Sequence, residues 1–166
     1  GIEFNINTQQ DVPEIFQIII DELKESSVVA DDVVSSSLLY TTSCDECQSF
    51  SNVETKYDII RLPLAKSITS SFNNFLSPEY LRGKDKWFCA LCNSYQESVR
   101  TTKFVNCGNI IIFQILRYAN FNGKIIKDNR KIILPNENLT IPVHVDDIVT
   151  LKKNFKLKSS INHSGN

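Results

Sequence analysis

Four of the five cysteines of this 166-residue chain form two C-x-x-C pairs. The first pair is Cys44-Asp-Glu-Cys47 and the second is Cys89-Ala-Leu-Cys92, with 41 residues between them at positions 48–88. A four-thiolate zinc site needs two short loops that each deliver two sulfurs at about 2.3 Å from the ion, and C-x-x-C is such a loop. Because the same spacing occurs twice, the sequence predicts a structural Zn²⁺ ion bound by all four of these cysteines.

The long insert between the pairs indicates what the ion would join. A compact zinc ribbon separates its two pairs by about 15 to 20 residues, so we expect this ion to connect two distant hairpin tips. Disulfides are an alternative, but the N-terminus lacks the pattern of a secretory signal that an oxidising compartment would imply. A redox C-x-x-C is another, and it leaves the second pair without a role. Four thiolates complete a tetrahedral site, so we expect His144 to be a surface residue rather than a ligand.

Composition excludes several classes of partner. Apolar residues make up 42% of the chain and charged residues 22%, which is typical of a folded domain rather than a disordered one. The formal net charge of −1 argues against a nucleic-acid partner bound through its phosphates. It therefore also argues against a zinc ribbon that binds nucleic acid. Apolar stretches such as Ile110–Phe113 are too short to span a bilayer, so we expect no membrane contact and a cytoplasmic or nuclear protein.

Elements that could position the first cysteine pair lie in the N-terminal part. Thr8, Pro13 and an apolar repeat that reaches Leu23 predict a helix ending near residues 25–27. A strand is predicted from Val33 to Tyr40, and a returning strand follows Cys47, which places this pair at a hairpin tip.

The segment between the pairs has signals of its own. Ser67 is predicted to cap a short amphipathic helix that ends at Leu76, and Pro78 to begin a second helical turn through Leu81. Trp87-Phe88 then leads directly into the second pair.

Strand patterns dominate the remainder. We expect a hairpin turn at Asn122-Gly123, the strongest such signal in the chain. The segment 109–118 is apolar enough to predict a strand buried on both faces. Further strands are predicted at Ser94–Val105, Lys131–Leu134, Ile141–Val145 and Asn154–Lys158. The expected fold class is α+β, with an N-terminal helix and a predominantly antiparallel sheet from which zinc-tipped hairpins project.

At this point four segments resemble a known family, the ubiquitin-specific proteases. Residues 9–16, Gln-Gln-Asp-Val-Pro-Glu-Ile-Phe, are similar to its glutamine-rich box, and the two C-x-x-C pairs resemble the zinc site of its fingers. Residues 112–118 are similar to its strand ending in L-x-R-[FY], and residues 161–166 resemble the H-S-G stretch before its G-H-Y motif. The resemblance covers nearly the whole chain, in the order of the family.

The resemblance implies a partial papain-like catalytic domain over residues 1–166. Residues 8–27 would be a helix of the thumb, 33–105 the fingers with the zinc site and inserted helices, and 106–166 palm strands. The implied activity is removal of ubiquitin from protein conjugates by thiolate attack at the C-terminal glycine of ubiquitin. The implied partner is ubiquitin or a ubiquitinated protein.

Departures from the family pattern concern catalysis. The family places its nucleophilic cysteine before the glutamine-rich box and its base histidine in G-H-Y. Only eight residues precede Gln9, none of them cysteine, and the sequence stops at Asn166. We therefore expect an internal fragment without catalytic residues, which binds at most ubiquitin and zinc. The alternative is a catalytically inactive ubiquitin-binding or scaffold protein of the same fold. The fifth cysteine, Cys107, is expected to be a buried apolar residue, and His163 belongs to the segment before the catalytic histidine.

Contacts to ubiquitin follow from the same resemblance. Asp11 and Glu14 would line the channel for the ubiquitin tail, whose arginines suit carboxylates, although Asp11 could equally cap its helix. Three aromatic residues near the second pair could face ubiquitin or pack the finger base, and for Trp87 we favour packing over contact. The other two are Tyr80 and Phe88. The apolar face of the first helix, which the thumb would cover, predicts self-association of the isolated chain.

Overall fold

The computed structural model describes residues 12–26, 33–145 and 150–161. The helices used below are α1 (Val12–Ser26) and α2 (Ile68–Leu76). The strands are β1 (Ser36–Cys44), β2 (Phe50–Tyr57), β3 (Ile59–Pro63), β4 (Glu79–Leu81), β5 (Trp87–Cys89), β6 (Ser94–Gln96), β7 (Ser98–Asn106), β8 (Ile112–Leu116), β9 (Tyr118–Phe121), β10 (Lys124–Lys127), β11 (Leu139–His144) and β12 (Thr150–Phe155).

One six-stranded sheet organises the described chain. Its strand order is β12-β11-β7-β1-β2, and β4 also pairs with β7. All of these pairings are antiparallel except that of β11 with β7, where Val143 lies opposite Phe104. Strands β3 and β8 form a separate parallel pair, while β5–β6 and β9–β10 are hairpins. The expected combination of few helices and a sheet is confirmed.

The core lies where α2 and the β3–β8 pair pack against the sheet. Phe72 of α2 is 2% exposed, and its ring centroid lies 5.9 Å from that of Phe104 in β7 and 5.9 Å from that of Phe113 in β8. Leu38 and Leu62 are buried beside them. Since full burial of one such side chain contributes about 1.5 to 3 kcal/mol, this cluster fixes the position of β1 and β7, the two strands that lead towards the cysteines.

Several local predictions are confirmed. Helix α1 ends at Ser26, and Ser67 caps α2 by accepting a hydrogen bond from the Ser70 amide at 3.1 Å. The turn at Asn122-Gly123 joins β9 and β10, with φ angles of 50° and 78°. Each of these signals is local, so tertiary contacts do not need to be known to read it. Thr8 lies outside the described residues.

Two predictions about secondary structure were wrong because backbone pairing with a distant segment determined the conformation. The turn expected after Pro78 is strand β4, because its backbone pairs with the open edge of β7 at Ser98, Val99 and Arg100. The expected long strand from Ser94 is divided at Glu97, whose carbonyl accepts the Asp45 amide at 3.0 Å.

Three further strand predictions need correction. The strand expected to be buried on both faces is β8, in which four residues are half-buried and Leu116 is exposed. In the expected strand at 131–134, Ile133 forms a single bridge with Ser67. The last strand ends at Phe155 rather than continuing to Lys158.

Helix α1 exposes part of its apolar surface. Of its residues, all of them described, only Ile20 is buried, and Ile19 and Leu23 are 49% and 50% exposed. The predicted self-association of the isolated chain stays a prediction. None of the helices in the described ranges is both long and apolar enough to cross a membrane.

Candidate metal centre

The four paired cysteines form one cluster. Their sulfur atoms all lie within 4.8 Å of one another. Across the two pairs, the Cys47 and Cys89 sulfurs are 3.5 Å apart and the Cys44 and Cys92 sulfurs are 4.0 Å apart. Sulfurs about 2.3 Å from a tetrahedral ion would be about 3.8 Å from each other. The cluster therefore has the size and the donor atoms that a Cys₄ metal site requires, and all five cysteines of the chain are free thiols.

Strand pairing explains how the distant pairs meet. The first pair lies at the tip of the β1–β2 hairpin and the second at the tip of the β5–β6 hairpin. The chain returns from the second tip into β7, which pairs with β1 so that Cys44 lies opposite Ser98. The side chain of Arg82 adds contacts to Asp45 in the first tip and to Glu97 between β6 and β7. The pairing of β1 with β7 thus brings the two ends of the insert together.

Both loops use a left-handed residue directly after their second cysteine. Gln48 has a φ of 60° and Asn93 a φ of 50°. The Gln48 amide donates to the Cys44 carbonyl at 3.1 Å, and the Cys92 amide donates to the Cys89 sulfur at 3.5 Å. These turns reverse the chain tightly enough for both sulfurs of each pair to point to one centre.

Ser49 belongs to the site, and our sequence analysis missed it. Its hydroxyl lies 3.0 Å from the Cys47 sulfur and 3.3 Å from the Cys89 sulfur, so it bridges the two hairpin tips. The Ser49 hydroxyl, followed by the Cys92 amide, lowers the pKa of Cys89 to about 6, whereas the neighbouring thiols, Cys47 first, raise the pKa of Cys92. A lowered pKa favours the thiolate, which is the form of cysteine that binds metal. The signal in the sequence was its position two residues after Cys47.

Replacing Ser49 with alanine should weaken metal binding without abolishing it. Loss of a hydrogen bond to a metal ligand typically lowers affinity about 10- to 100-fold, and we expect the lower end because all four thiolates remain. Competition for Zn²⁺ against a chromophoric chelator measures the effect. Ser51→Ala, two residues further along in β2, is the matched control and should leave the affinity unchanged. Equal affinities for the two variants would contradict the role of Ser49.

Cys107 lies in the core, as expected. It is 2% exposed and clusters with Leu38, Phe104 and Ile141. Burial raises the pKa of its thiol, which keeps it in the neutral form. Cys107 is therefore a structural residue rather than an activated nucleophile.

The other residues singled out from the sequence are spread over the fold. Glu14 is exposed in the first turn of α1, and His144 is half-buried at the end of β11, while Asp11 and His163 lie outside the described residues. The structure brings neither Glu14 nor His144 to the cysteine cluster. A ubiquitin-tail contact of Asp11 and Glu14 stays a prediction.

The three aromatic residues near the second pair differ in their surroundings. Trp87 is half-buried and lines a groove with Tyr40 and Tyr57, which agrees with the packing interpretation. Tyr80 and Phe88 are 64% and 47% exposed. Phe88 meets Tyr95 edge to face, with ring centroids 5.4 Å apart. Strand β4 and the β5–β6 hairpin thus expose aromatic side chains.

Comparison with known proteins identifies similar chains. The profile of a family described as ubiquitin carboxyl-terminal hydrolase matches residues 2–166. Ubiquitin carboxyl-terminal hydrolase 26 of Arabidopsis thaliana is 28% identical over 129 residues, which is 70% of this chain and 12% of that protein. Ubiquitin carboxyl-terminal hydrolase 42 of Homo sapiens is 23% identical over 75% of this chain and 11% of its own length. Ubiquitin carboxyl-terminal hydrolase 4 of Arabidopsis thaliana is 27% identical over 75% of this chain and 34% of its own length. The chain therefore spans between about a tenth and a third of these relatives.

Proposed function

Because the chain belongs to the ubiquitin carboxyl-terminal hydrolase family, we propose that it comprises the fingers, the palm and part of the thumb of a cysteine-type deubiquitinase. In this proposal the catalytic domain has the papain-like fold, with residues 8–27 in the thumb, 33–105 in the fingers and 106–166 in the palm. The whole protein would hydrolyse the bond after the C-terminal glycine of ubiquitin in conjugates, in the cytoplasm or nucleus. The supporting observation is that a family match over residues 2–166 coincides with a cysteine cluster at two paired hairpin tips.

Zinc is the metal we propose for the cluster. Cys44, Cys47, Cys89 and Cys92 would hold it, since four thiolates with this spacing select zinc over oxygen-preferring cations. The ion would supply structure rather than reactivity, because a closed Cys₄ site has no open position for water. By joining the β1–β2 and β5–β6 tips, it would keep the fingers in one shape for contact with ubiquitin.

Helix α1 is the proposed contact for the ubiquitin tail. Glu14 is exposed in its first turn, where its carboxylate is available to an arginine of that tail. Asp11 would act beside it.

Replacing Glu14 with glutamine should weaken the binding of intact ubiquitin about tenfold, the equivalent of ~1.4 kcal/mol for a charge-assisted contact. Ubiquitin that lacks its C-terminal tail should bind the variant and the original chain equally, because the contact is to the tail alone. Isothermal titration calorimetry of the zinc-loaded chain measures both. Glu22→Gln, an exposed carboxylate further along α1, is the control and should change neither affinity. A chain that does not bind intact ubiquitin would contradict the proposal.

A catalytically inactive ubiquitin-binding or scaffold protein is the second candidate. The burial of Cys107, the one cysteine outside the cluster, favours neither candidate, because the family nucleophile would lie before residue 9. The two candidates differ in whether the full-length protein has a reactive nucleophilic cysteine. Treating the full-length protein with ubiquitin that carries a cysteine-reactive group at its C-terminus distinguishes them. A covalent adduct identifies an active hydrolase, whereas binding without an adduct identifies the inactive relative.

A further inference from the structure

Asp58 connects three parts of the fold. It is the single residue between β2 and β3, and its carboxylate accepts hydrogen bonds from α1 and from the residue that precedes β1. Lys24 donates to both carboxylate oxygens at 2.7 Å, Gln17 donates to one at 3.0 Å, and Ser35 donates to the other at 2.7 Å. The side chains of Asp58 and Lys24 are 14% and 25% exposed, so this is a partly buried ion pair.

The geometry of these contacts restricts the helix. Gln17 and Lys24 are seven residues apart on α1, or about two turns and about 10 Å along its axis. Because both side chains converge on one carboxylate, Asp58 ties two positions of the helix, two turns apart, to a single point at the base of the hairpin. Apolar packing adds little restraint in the described structure, because Ile20 is the one buried residue of α1.

The base of the first finger hairpin provides the anchor. Ser35 directly precedes β1 and Asp58 directly follows β2, so the network closes the end of the hairpin at which Ser36 pairs with Tyr57. The cysteine tip lies at the opposite end, about 27 Å away for the 8 residues of β2 at about 3.4 Å each. The placement of α1 is thus set independently of the metal site.

We propose that Asp58 is a positioning residue that holds α1 against the base of the finger hairpin and so places Glu14 for the ubiquitin tail. The second part of this inference rests on the proposed function. The ionic state of the network supports it. Burial alone raises the pKa of Asp58, but hydrogen bonds from Lys24, Ser35 and Gln17 more than offset that effect and hold the pKa below its ordinary value. The carboxylate is therefore ionised at neutral pH and binds the Lys24 ammonium.

Asp58→Asn keeps the size of the side chain and removes its charge. Backbone amides of α1 should exchange with solvent at least tenfold faster in this variant, while amides of the β1–β7 pairing keep their rates. Lys24→Met, a change on the helix alone, should produce a smaller acceleration. The two changes together should accelerate exchange by less than their separate effects combined, since they share the Lys24–Asp58 contact. Asp128→Asn is the matched control, because that carboxylate pairs with Arg130 after β10 and does not contact α1.

Ubiquitin binding tests the functional part. Asp58→Asn should weaken the binding of intact ubiquitin about tenfold and leave the binding of tail-less ubiquitin unchanged. Equal losses for both ligands would indicate general destabilisation and overturn the positioning role. If the exchange rates of the α1 amides do not change in Asp58→Asn, the inference that Asp58 holds α1 is overturned, whether or not the chain binds ubiquitin. Failure of the original chain to bind ubiquitin contradicts the proposed function instead, and the exchange rates then decide whether Asp58 places the helix.

Discussion

Cys89→Ser is expected to reduce the zinc content from one ion per chain to none and to unfold both hairpin tips. The Cys89 sulfur is 0% exposed and lies 3.5 Å from the Cys47 sulfur, so its loss removes a ligand from the centre of the cluster. Structural zinc contributes about 10 to 16 kcal/mol to the folding of isolated zinc-finger peptides. We expect a smaller loss of several kcal/mol here, because the core around Phe72 and Phe104 does not depend on the ion.

Native mass spectrometry of the zinc-loaded chain counts the ions, and hydrogen exchange locates the unfolding. Amides of residues 44–49 and 89–93 should lose protection, while those of α2 and β3 keep theirs. Cys107→Ser is the control, since it removes a cysteine outside the cluster and should retain one zinc. Retention of zinc by Cys89→Ser would refute the metal assignment.

Gly108→Ala should destabilise the fold by about 2 to 4 kcal/mol, at the upper end of what overpacking costs. A Cβ atom at Gly108 would lie 2.6 Å from the Val33 carbonyl oxygen and 3.0 Å from that of Ser35. These are backbone atoms, so they cannot turn away as a flexible side chain would. The same segment is also held by hydrogen bonds, because the Gly108 amide donates to the Ser36 hydroxyl at 3.3 Å and the Ile110 amide to the Val33 carbonyl at 2.9 Å. Separating the two backbones would break these bonds as well.

Urea denaturation at constant zinc concentration gives the free energy of unfolding of each variant. Gly83→Ala is the control because it separates two reasons why a position requires glycine, a positive φ angle and a close approach of another backbone. Gly83 has a φ of 59° but nothing within 4 Å of its Cβ position, so alanine there should cost only about 1 kcal/mol in backbone strain. If Gly108→Ala lowers the free energy of unfolding no more than Gly83→Ala does, the close approach of the Val33 and Ser35 backbone to Gly108 does not limit the residue at this position.

The physical origin of the correct predictions is local. Ser67 caps α2 through an amide only three residues away, and Asn122-Gly123 turns the chain within one hairpin. The C-x-x-C spacing likewise depends on four consecutive residues. Patterns of this range can be read from sequence because the interacting groups are close along the chain.

The errors arose from partners that are distant in sequence. Strand β4 forms because β7 presents an open edge to it, and that edge overrides the helical preference after Pro78. Asp58 was unremarkable in the sequence because its donors are 34, 41 and 23 positions away, at Lys24, Gln17 and Ser35. Polar contacts at such separations have no periodicity that a sequence pattern could reveal.

The sequence by itself determined the four cysteines of the candidate metal site, the two helices, the hairpin turn and the resemblance to one family. Only the tertiary structure showed how the two cysteine pairs meet, because their meeting depends on the pairing of β1 with β7 across the long insert. It also decided that Ser49 bridges their sulfurs and that Asp58 anchors α1. Residue type and spacing set what chemistry a chain can do, but distances between side chains far apart in sequence follow from the packing of the whole sheet.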